Sequence, residues 1–250
     1  MQNIRIDKIT SLQNKFIKEL VKLKDNKKEI LTTGLMLVEG KNVIDIALQN
    51  NLVVNILTVN PDRWNNKKVI EVTPEIISKI SFLKNSNKDL ALIKLPLFQE
   101  LQFKKIVFLE DIQDPTNLGA IIRSAKSFGF DAIFTTKKSV FKMNSKVISS
   151  SQGAALSIPI FQVEAKDFIK KYNYNYYTTD LKANSLPIDK VDFKNPIAIV
   201  FGNEGKGISD IWSNIDNKQN FIIPITKFDS LNLAVSASIC LYEVNRNNII

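Results

Sequence analysis

Beyond about residue 105 the chain alternates short, strongly apolar runs with amphipathic stretches, and that alternation restricts its fold more than any other feature. Apolar runs at 105–109, 131–135, 158–161, 174–179, 196–201 and 220–223 read as strands. Between and after them, 117–128, 144–150, 164–172 and 231–245 read as helices. Strands that alternate with helices of this length predict an α/β fold around a mostly parallel sheet. Strand order does not follow from the pattern.

A smaller α/β pattern precedes it. Residues 11–24 place Leu12, Phe16, Leu20 and Leu23 at three- and four-residue spacing with lysines between, as a helix does. A short strand at 35–38 leads through Gly40 to a helix with Val43, Ile44, Ala47 and Leu48 on one face, and then to a strand at 53–59. Thr73-Pro74-Glu75 is a helix start, and 90–95 reads as the closing strand. Pro96 and the polar residues after it mark a linker. The expected division is therefore 1–95, a linker at 96–104, and 105–250.

Composition removes whole classes of chemistry. The chain has no histidine and a single cysteine, Cys240, among 250 residues. Ser-His-Asp and Cys-His sites, His-liganded zinc and thiolate metal clusters are excluded, and an internal disulfide with them. No metal is expected. No apolar run approaches the roughly 18–20 residues needed to cross a bilayer, and the first seven residues lack a signal peptide's apolar core. The cytoplasm is the expected compartment, with no membrane partner. The formal charge is +9, and residues 1–28 alone hold 8 basic and 3 acidic side chains, among them Lys15, Lys18, Lys22, Lys24, Lys27 and Lys28. Such a concentration favours phosphate backbones, although a Lys- and Asn-rich composition also drifts basic without function.

Three motifs follow apolar strands. The first is Asp114-Pro115-Thr116-Asn117-Leu118-Gly119-Ala120-Ile121-Ile122-Arg123-Ser124-Ala125, which exposes helix N-terminal N–H groups at a strand's carboxyl end. A capped helix with a solvated Arg123 is the plainer account. The second, Phe201-Gly202-Asn203-Glu204-Gly205-Lys206-Gly207-Ile208, satisfies neither the dinucleotide fingerprint nor the P-loop; its glycines permit close backbone approach, and Glu204 is its one carboxylate. The third runs from Ile223-Pro224-Ile225 to Asp229-Ser230-Leu231-Asn232-Leu233-Ala234-Val235-Ser236-Ala237, where Ser230 could simply cap a slim helix.

Taken together and in order, these motifs resemble the SpoU (TrmH) family of RNA ribose 2′-O-methyltransferases in the SPOUT superfamily, over roughly residues 105–246. Residues 1–95 are similar, more loosely, to the N-terminal RNA substrate-binding domain of many members, through Thr10-Ser11-Leu12-Gln13-Asn14 and Leu37-Val38-Glu39-Gly40. The resemblance implies a C-terminal α/β domain with a deep trefoil knot, an exception to the rule against threaded chains. It implies S-adenosyl-L-methionine as cofactor and a homodimer. Gly202, Gly207, Ile223, Leu231 and Asn232 are then expected at the cofactor; Asn117, Arg123, Glu204, Ser230 and Asn232 match the family's polar active-site positions. Lys142, Lys146 and residues 149–154 resemble a family loop near the active site, or form a solvated surface loop.

Methyl transfer to a ribose oxygen needs alignment and removal of the hydroxyl proton. A free guanidinium is a poor base, so Arg123 is expected to stabilise phosphate and alkoxide charge, with Asn117 and Glu204 orienting it. The expected substrate is RNA, 23S ribosomal RNA before transfer RNA. Two other readings stay open: a base-methylating relative, and an RNA-binding ribosome-assembly factor without catalysis.

Overall fold

In the computed structural model the described residues are 7–65, 68–83, 88–179 and 185–246; the N-terminal residues 1–6, read above for a leader, lie outside them. The first stretch runs β1 (Asp7–Ile9), α1 (Lys15–Leu23), α2 (Lys27–Thr33), β2 (Leu35–Glu39), α3 (Lys41–Gln49), β3 (Val53–Thr58), β4 (Val69–Val72), α4 (Pro74–Ile80) and β5 (Leu90–Lys94). After 95–104, which form no helix or strand, come β6 (Lys105–Leu109), α5 (Pro115–Ser127), β7 (Ala132–Thr135) and α6 (Ser145–Ser150). The remainder is β8 (Ile160–Gln162), α7 (Ala165–Lys171), β9 (Asn175–Thr179), β10 (Leu186–Pro187), β11 (Ile197–Phe201), β12 (Lys218–Ile222) and α8 (Leu233–Arg246).

Contacts group the chain into two compact units. One holds residues 1–97 together with 143–157; the other holds 98–142 and 158–250. The α6 segment therefore packs with the N-terminal residues, although it lies between β7 and β8 in sequence. Its docking within that unit is specific. Ser145 Oγ donates to Asp25 Oδ1 at 2.6 Å, and a Cβ on Gly153 would stand 3.3 Å from the Val43 backbone. Sequence periodicity sees a helix at 144–150 but has no means of saying which sheet it serves.

The first unit is a five-stranded sheet of order β1-β4-β3-β5-β2, parallel across β1, β4 and β3 and antiparallel across β3, β5 and β2. α1 is shorter than the expected 11–24, because Asn14 Oδ1 accepts the Phe16 amide and starts the helix at Lys15. β1, α2 and β4 were not anticipated from sequence. Each is only three to seven residues long, too short to establish a period.

The second unit is a seven-stranded, all-parallel sheet of order β10-β12-β9-β11-β6-β7-β8. Ile106, Phe108, Ala132, Phe134, Ala198 and Val200 share a core with Phe168, Tyr176 and Trp212; Phe108 and Trp212 ring centroids lie 4.9 Å apart. The alternate residues Val107, Ile133 and Ile199 are equally buried, so both sheet faces are covered and the strands read as unbroken apolar runs. α5 packs on α8, and Ser124 and Ser238 meet there hydroxyl to hydroxyl at 2.7 Å. Both small side chains let the backbones approach, as the slim composition of α8 suggested.

Candidate active site

All three sequence motifs emerge from carboxyl ends of parallel strands, where open α/β sheets bind ligands. The first follows β6, the second β11 and the third β12; β6 and β11 are hydrogen-bonded neighbours.

The first motif opens a helix earlier than the sequence pattern placed it. Asp114 Oδ1 accepts the Thr116 amide and Pro115 occupies the first turn, so the helix begins at Pro115 rather than Asn117. Asn117 thus sits at the third helical position, within the first turn, with its amide directed away from capping duty.

The Gly-rich loop after β11 is organised by Asn203. Its Oδ1 accepts the Gly205 and Lys206 amides, its Nδ2 donates to the Asp111 carbonyl at 2.9 Å, and its backbone exchanges both hydrogen bonds with Gly207. That closure explains Gly202 directly. A Cβ there would lie 2.1 Å from the Gly207 carbonyl carbon and 2.3 Å from the Ile208 nitrogen. Gly207 itself has φ +69°, a backbone region that favours glycine. The loop's own folding therefore demands these two glycines, a reason different from the ligand approach the sequence suggested.

A buried carboxylate holds the far end of the same loop. Glu110 directly follows β6, and its two oxygens accept the Ser209 amide at 2.8 Å, the Ser209 hydroxyl at 2.7 Å and Trp212 Nε1 at 3.1 Å. Sequence reasoning missed Glu110 and Asn203. The available signal for the first was a carboxylate ending an otherwise apolar strand, which burial permits only with partners.

At the third motif, Asn232 rather than Ser230 caps α8: its Oδ1 accepts the Ala234 and Val235 amides at 2.9 and 3.2 Å. Ser230 is exposed, and its hydroxyl has no such role. Asn232 also donates from Nδ2 to Asn117 Oδ1 at 3.2 Å, and Asn117 Nδ2 donates to Glu204 Oε1 at 3.1 Å. One polar chain thus ties together the loops after β6, β11 and β12. Each amide is oriented by its neighbour, since Asn232 Oδ1 is committed to helix N–H groups and leaves only Nδ2 to donate.

Beside this chain lies a cavity of about 780 Å³ bounded by the end of β9 and the segments after β11 and β12. Gly202, Glu204, Gly207, Ile223, Ser230, Leu231 and Asn232 all line it. Asn117 and Arg123 do not. Arg123 is exposed on α5 and, among the described residues, makes no ion pair or hydrogen bond. The expectation that Asn117 and Glu204 orient Arg123 is therefore corrected, because those two groups satisfy each other instead.

The remaining expected residues divide between the units. Lys142 lies in the second unit, where its ammonium donates to the Ile160 carbonyl and burial pushes its pKa down. Lys146 and residues 149–154 belong to the first.

Comparison with known proteins agrees with this geometry. Residues 104–242 match the SpoU rRNA methylase family and residues 14–91 the MRM3-like substrate binding domain. An uncharacterized tRNA/rRNA methyltransferase of Borreliella burgdorferi is 34% identical over 74% of this chain and 90% of its own length. The 23S rRNA (guanosine(2553)-2′-O)-methyltransferase RlmP of Bacillus subtilis is 25% identical over 94% of this chain and 98% of its own. In fold, the AdoMet-bound rRNA methyltransferase of Sinorhizobium meliloti superposes with a TM-score of 0.84 at 24% identity, covering 98% of this chain and 99% of that one. The methylase match over the parallel-sheet unit, together with the substrate-binding match before it, defines the class as an RNA methyltransferase. The chain belongs to the SpoU rRNA methylase family.

Proposed function

We propose that this chain transfers a methyl group from S-adenosyl-L-methionine to a ribose 2′-hydroxyl, with 23S ribosomal RNA as substrate. The hydrogen-bonded chain Glu204–Asn117–Asn232 beside the cavity carries the reading. It gathers polar groups from three separate strand ends at one point, which packing alone does not require. The relatives support the target class: the B. subtilis protein is a 23S rRNA 2′-O-methyltransferase, and the S. meliloti protein was crystallised with AdoMet.

The cavity suits such a cofactor. Its volume falls in the range of small-ligand sites, and its wall combines apolar Ile223 and Leu231 with backbone amides of a closed Gly loop. When bound, S-adenosyl-methionine supplies a methyl on a sulfonium, already a good leaving group. Gly202, Gly207, Ile223, Leu231 and Asn232 hold it, largely through backbone groups. Asn117, Glu204 and Asn232 fix the walls of the site, and Ser230 lies exposed on the cavity's rim, in reach of an incoming nucleotide. Arg123 has no partner among the described residues and is available to a substrate phosphate, where its planar fork neutralises charge as the ribose oxygen loses its proton to phosphate or water.

The same reading includes a knotted passage of the loops after β11 and β12, a homodimer, and a cytoplasmic setting. Residues 1–95 serve as the RNA-binding domain, 96–104 as linker and 105–250 as the methyltransferase domain.

The test is incorporation of labelled methyl from S-adenosyl-methionine into unmodified total RNA, wild type beside Arg123→Ala. The expected product is an alkali-resistant 2′-O-methyl dinucleotide in ribosomal RNA, reduced at least about 100-fold in the variant, on the scale of one lost transition-state contact. Label in a base would overturn the ribose assignment. Cofactor binding without any RNA label would leave a non-catalytic RNA-binding factor.

A further inference from the structure

The cations of α1 carry an inference that rests on the reading of this chain as an RNA methyltransferase. α1 buries Ile17, Leu20 and Leu23. At about 100° per residue, Lys15, Lys18 and Lys22 then fall within a sector of about 60° on the opposite, solvent side, spread over about 10 Å of helix axis. All three are exposed, and among the described residues none has an ion-pair or hydrogen-bond partner for its ammonium. Glu19 is the one acidic residue on that face.

Some lysines elsewhere on the surface have an acidic partner. Lys41 pairs with Asp45 at 2.7 Å and Lys171 with Glu100 at 2.8 Å. A row of uncompensated ammonium groups repels itself and gains nothing from the fold; its natural complement is a row of phosphates, whose counterions it releases.

The row extends beyond α1. The first turn of α2 carries the exposed Lys28, and the turn before it carries Asp25, whose carboxylate accepts the Ser145 hydroxyl. That bond brings the first residue of α6 against the turn, and the exposed Lys146 follows it directly. Residues over a hundred positions apart therefore contribute to one basic surface of the first unit. α6 comes from the stretch matched by the methylase family, not from the substrate-binding match at 14–91.

We propose that Lys15, Lys18 and Lys22, continued by Lys28 and Lys146, form a track that binds the phosphate backbone of the RNA substrate without reading its bases. Lysine suits that task, being a compact point charge with rotatable donors and no planar fork for base edges. The track sets affinity and salt dependence, and nucleotide choice is made elsewhere.

The experiment measures binding of a fluorescently labelled mixed-sequence hairpin RNA to the full chain across a salt series. The triple variant Lys15→Gln, Lys18→Gln, Lys22→Gln is compared with a control triple, Lys104→Gln, Lys166→Gln, Lys170→Gln, which removes the same charge from exposed positions of the second unit. The expected result is a log–log salt slope lower by about 2–3 and an affinity lower by about 10- to 100-fold in the α1 variant, at about one unit of slope per lost phosphate contact. The control should stay within about twofold of wild type on the same scale. A Lys→Arg triple at 15, 18 and 22, which keeps the charge, should retain the wild-type slope. Equal losses in both Gln triples would show a diffuse field rather than a track, and no loss in the α1 variant would remove the proposal altogether. Methyl transfer by the wild type is scored separately. Its absence would overturn the enzymatic reading and leave the binding comparison standing.

Discussion

Gly202 shows how much a single residue decides here. The position where its Cβ would stand lies 2.1 Å from the Gly207 carbonyl carbon, and the obstacle is backbone held by two hydrogen bonds to Asn203. Gly202→Ala must therefore open the loop. We expect a loss of about 1–3 kcal/mol in stability and at least tenfold in cofactor affinity, read by thermal melting and calorimetric titration. Tyrosines supply the pH dependence. Burial pushes Tyr174 and Tyr176 up from the ordinary 10.0 to about 12. Their protonated forms are the ones the fold accommodates, so their stabilising contribution is complete below pH 10 and is lost as pH climbs towards 12. Absorbance at the tyrosinate band should show these two ionising late in the native protein, and at the ordinary pH once it is unfolded. Early ionisation of all five tyrosines in the folded chain would refute the assignment.

At the scale of elements, the interest lies in how short connections hold long ones. α5 begins where Asp114 and Pro115 dictate, and α8 begins where Asn232 dictates; the sequence pattern misplaces each start by two residues. Periodicity locates a helix's apolar face but not its first hydrogen bond, which depends on which polar side chain turns back to the amides. α6 is the stronger case. At Gly153, with φ +84°, an added Cβ would stand 3.1 Å from the Ile46 side chain of α3. Gly153→Ala places a methyl in that gap and in a left-handed conformation, at a cost of about 1–2 kcal/mol. Chemical denaturation should report it, and hydrogen exchange should localise the loosening to α3 and α6 while the second unit's sheet keeps its protection.

For the whole molecule, the exposed side of α8 matters most. Val235, Ile239 and Tyr242 recur every three or four residues and are 48%, 37% and 46% exposed, while Ala234, Ala237, Leu241 and Val244 face the interior. Phe228, just before the helix, is 81% exposed. A continuous apolar stripe of this size on a helix beside the cavity fits the proposed homodimer. Val235→Asp with Ile239→Asp should convert a dimer to a folded monomer in light scattering coupled to gel filtration. A wild type that is monomeric at micromolar concentration would remove the dimer from the reading.

What the sequence determined by itself was the α/β class, the order of the longer elements, the chemistry excluded by the lack of histidine, and the three blocks that line one edge. Those follow from local quantities: period, apolar content, and residue types that must follow a strand. Asn117, Glu204 and Asn232 were singled out by the family resemblance of those blocks, and the parallel sheet brings them together in one hydrogen-bonded chain. Tertiary structure alone decided the order β10-β12-β9-β11-β6-β7-β8, the pairing of Asn117 with Glu204 in place of Arg123, the buried Glu110 clamp, and the allegiance of α6 to the first unit. Each depends on which distant segments share a hydrogen bond or a packed surface, and no window of sequence contains both partners.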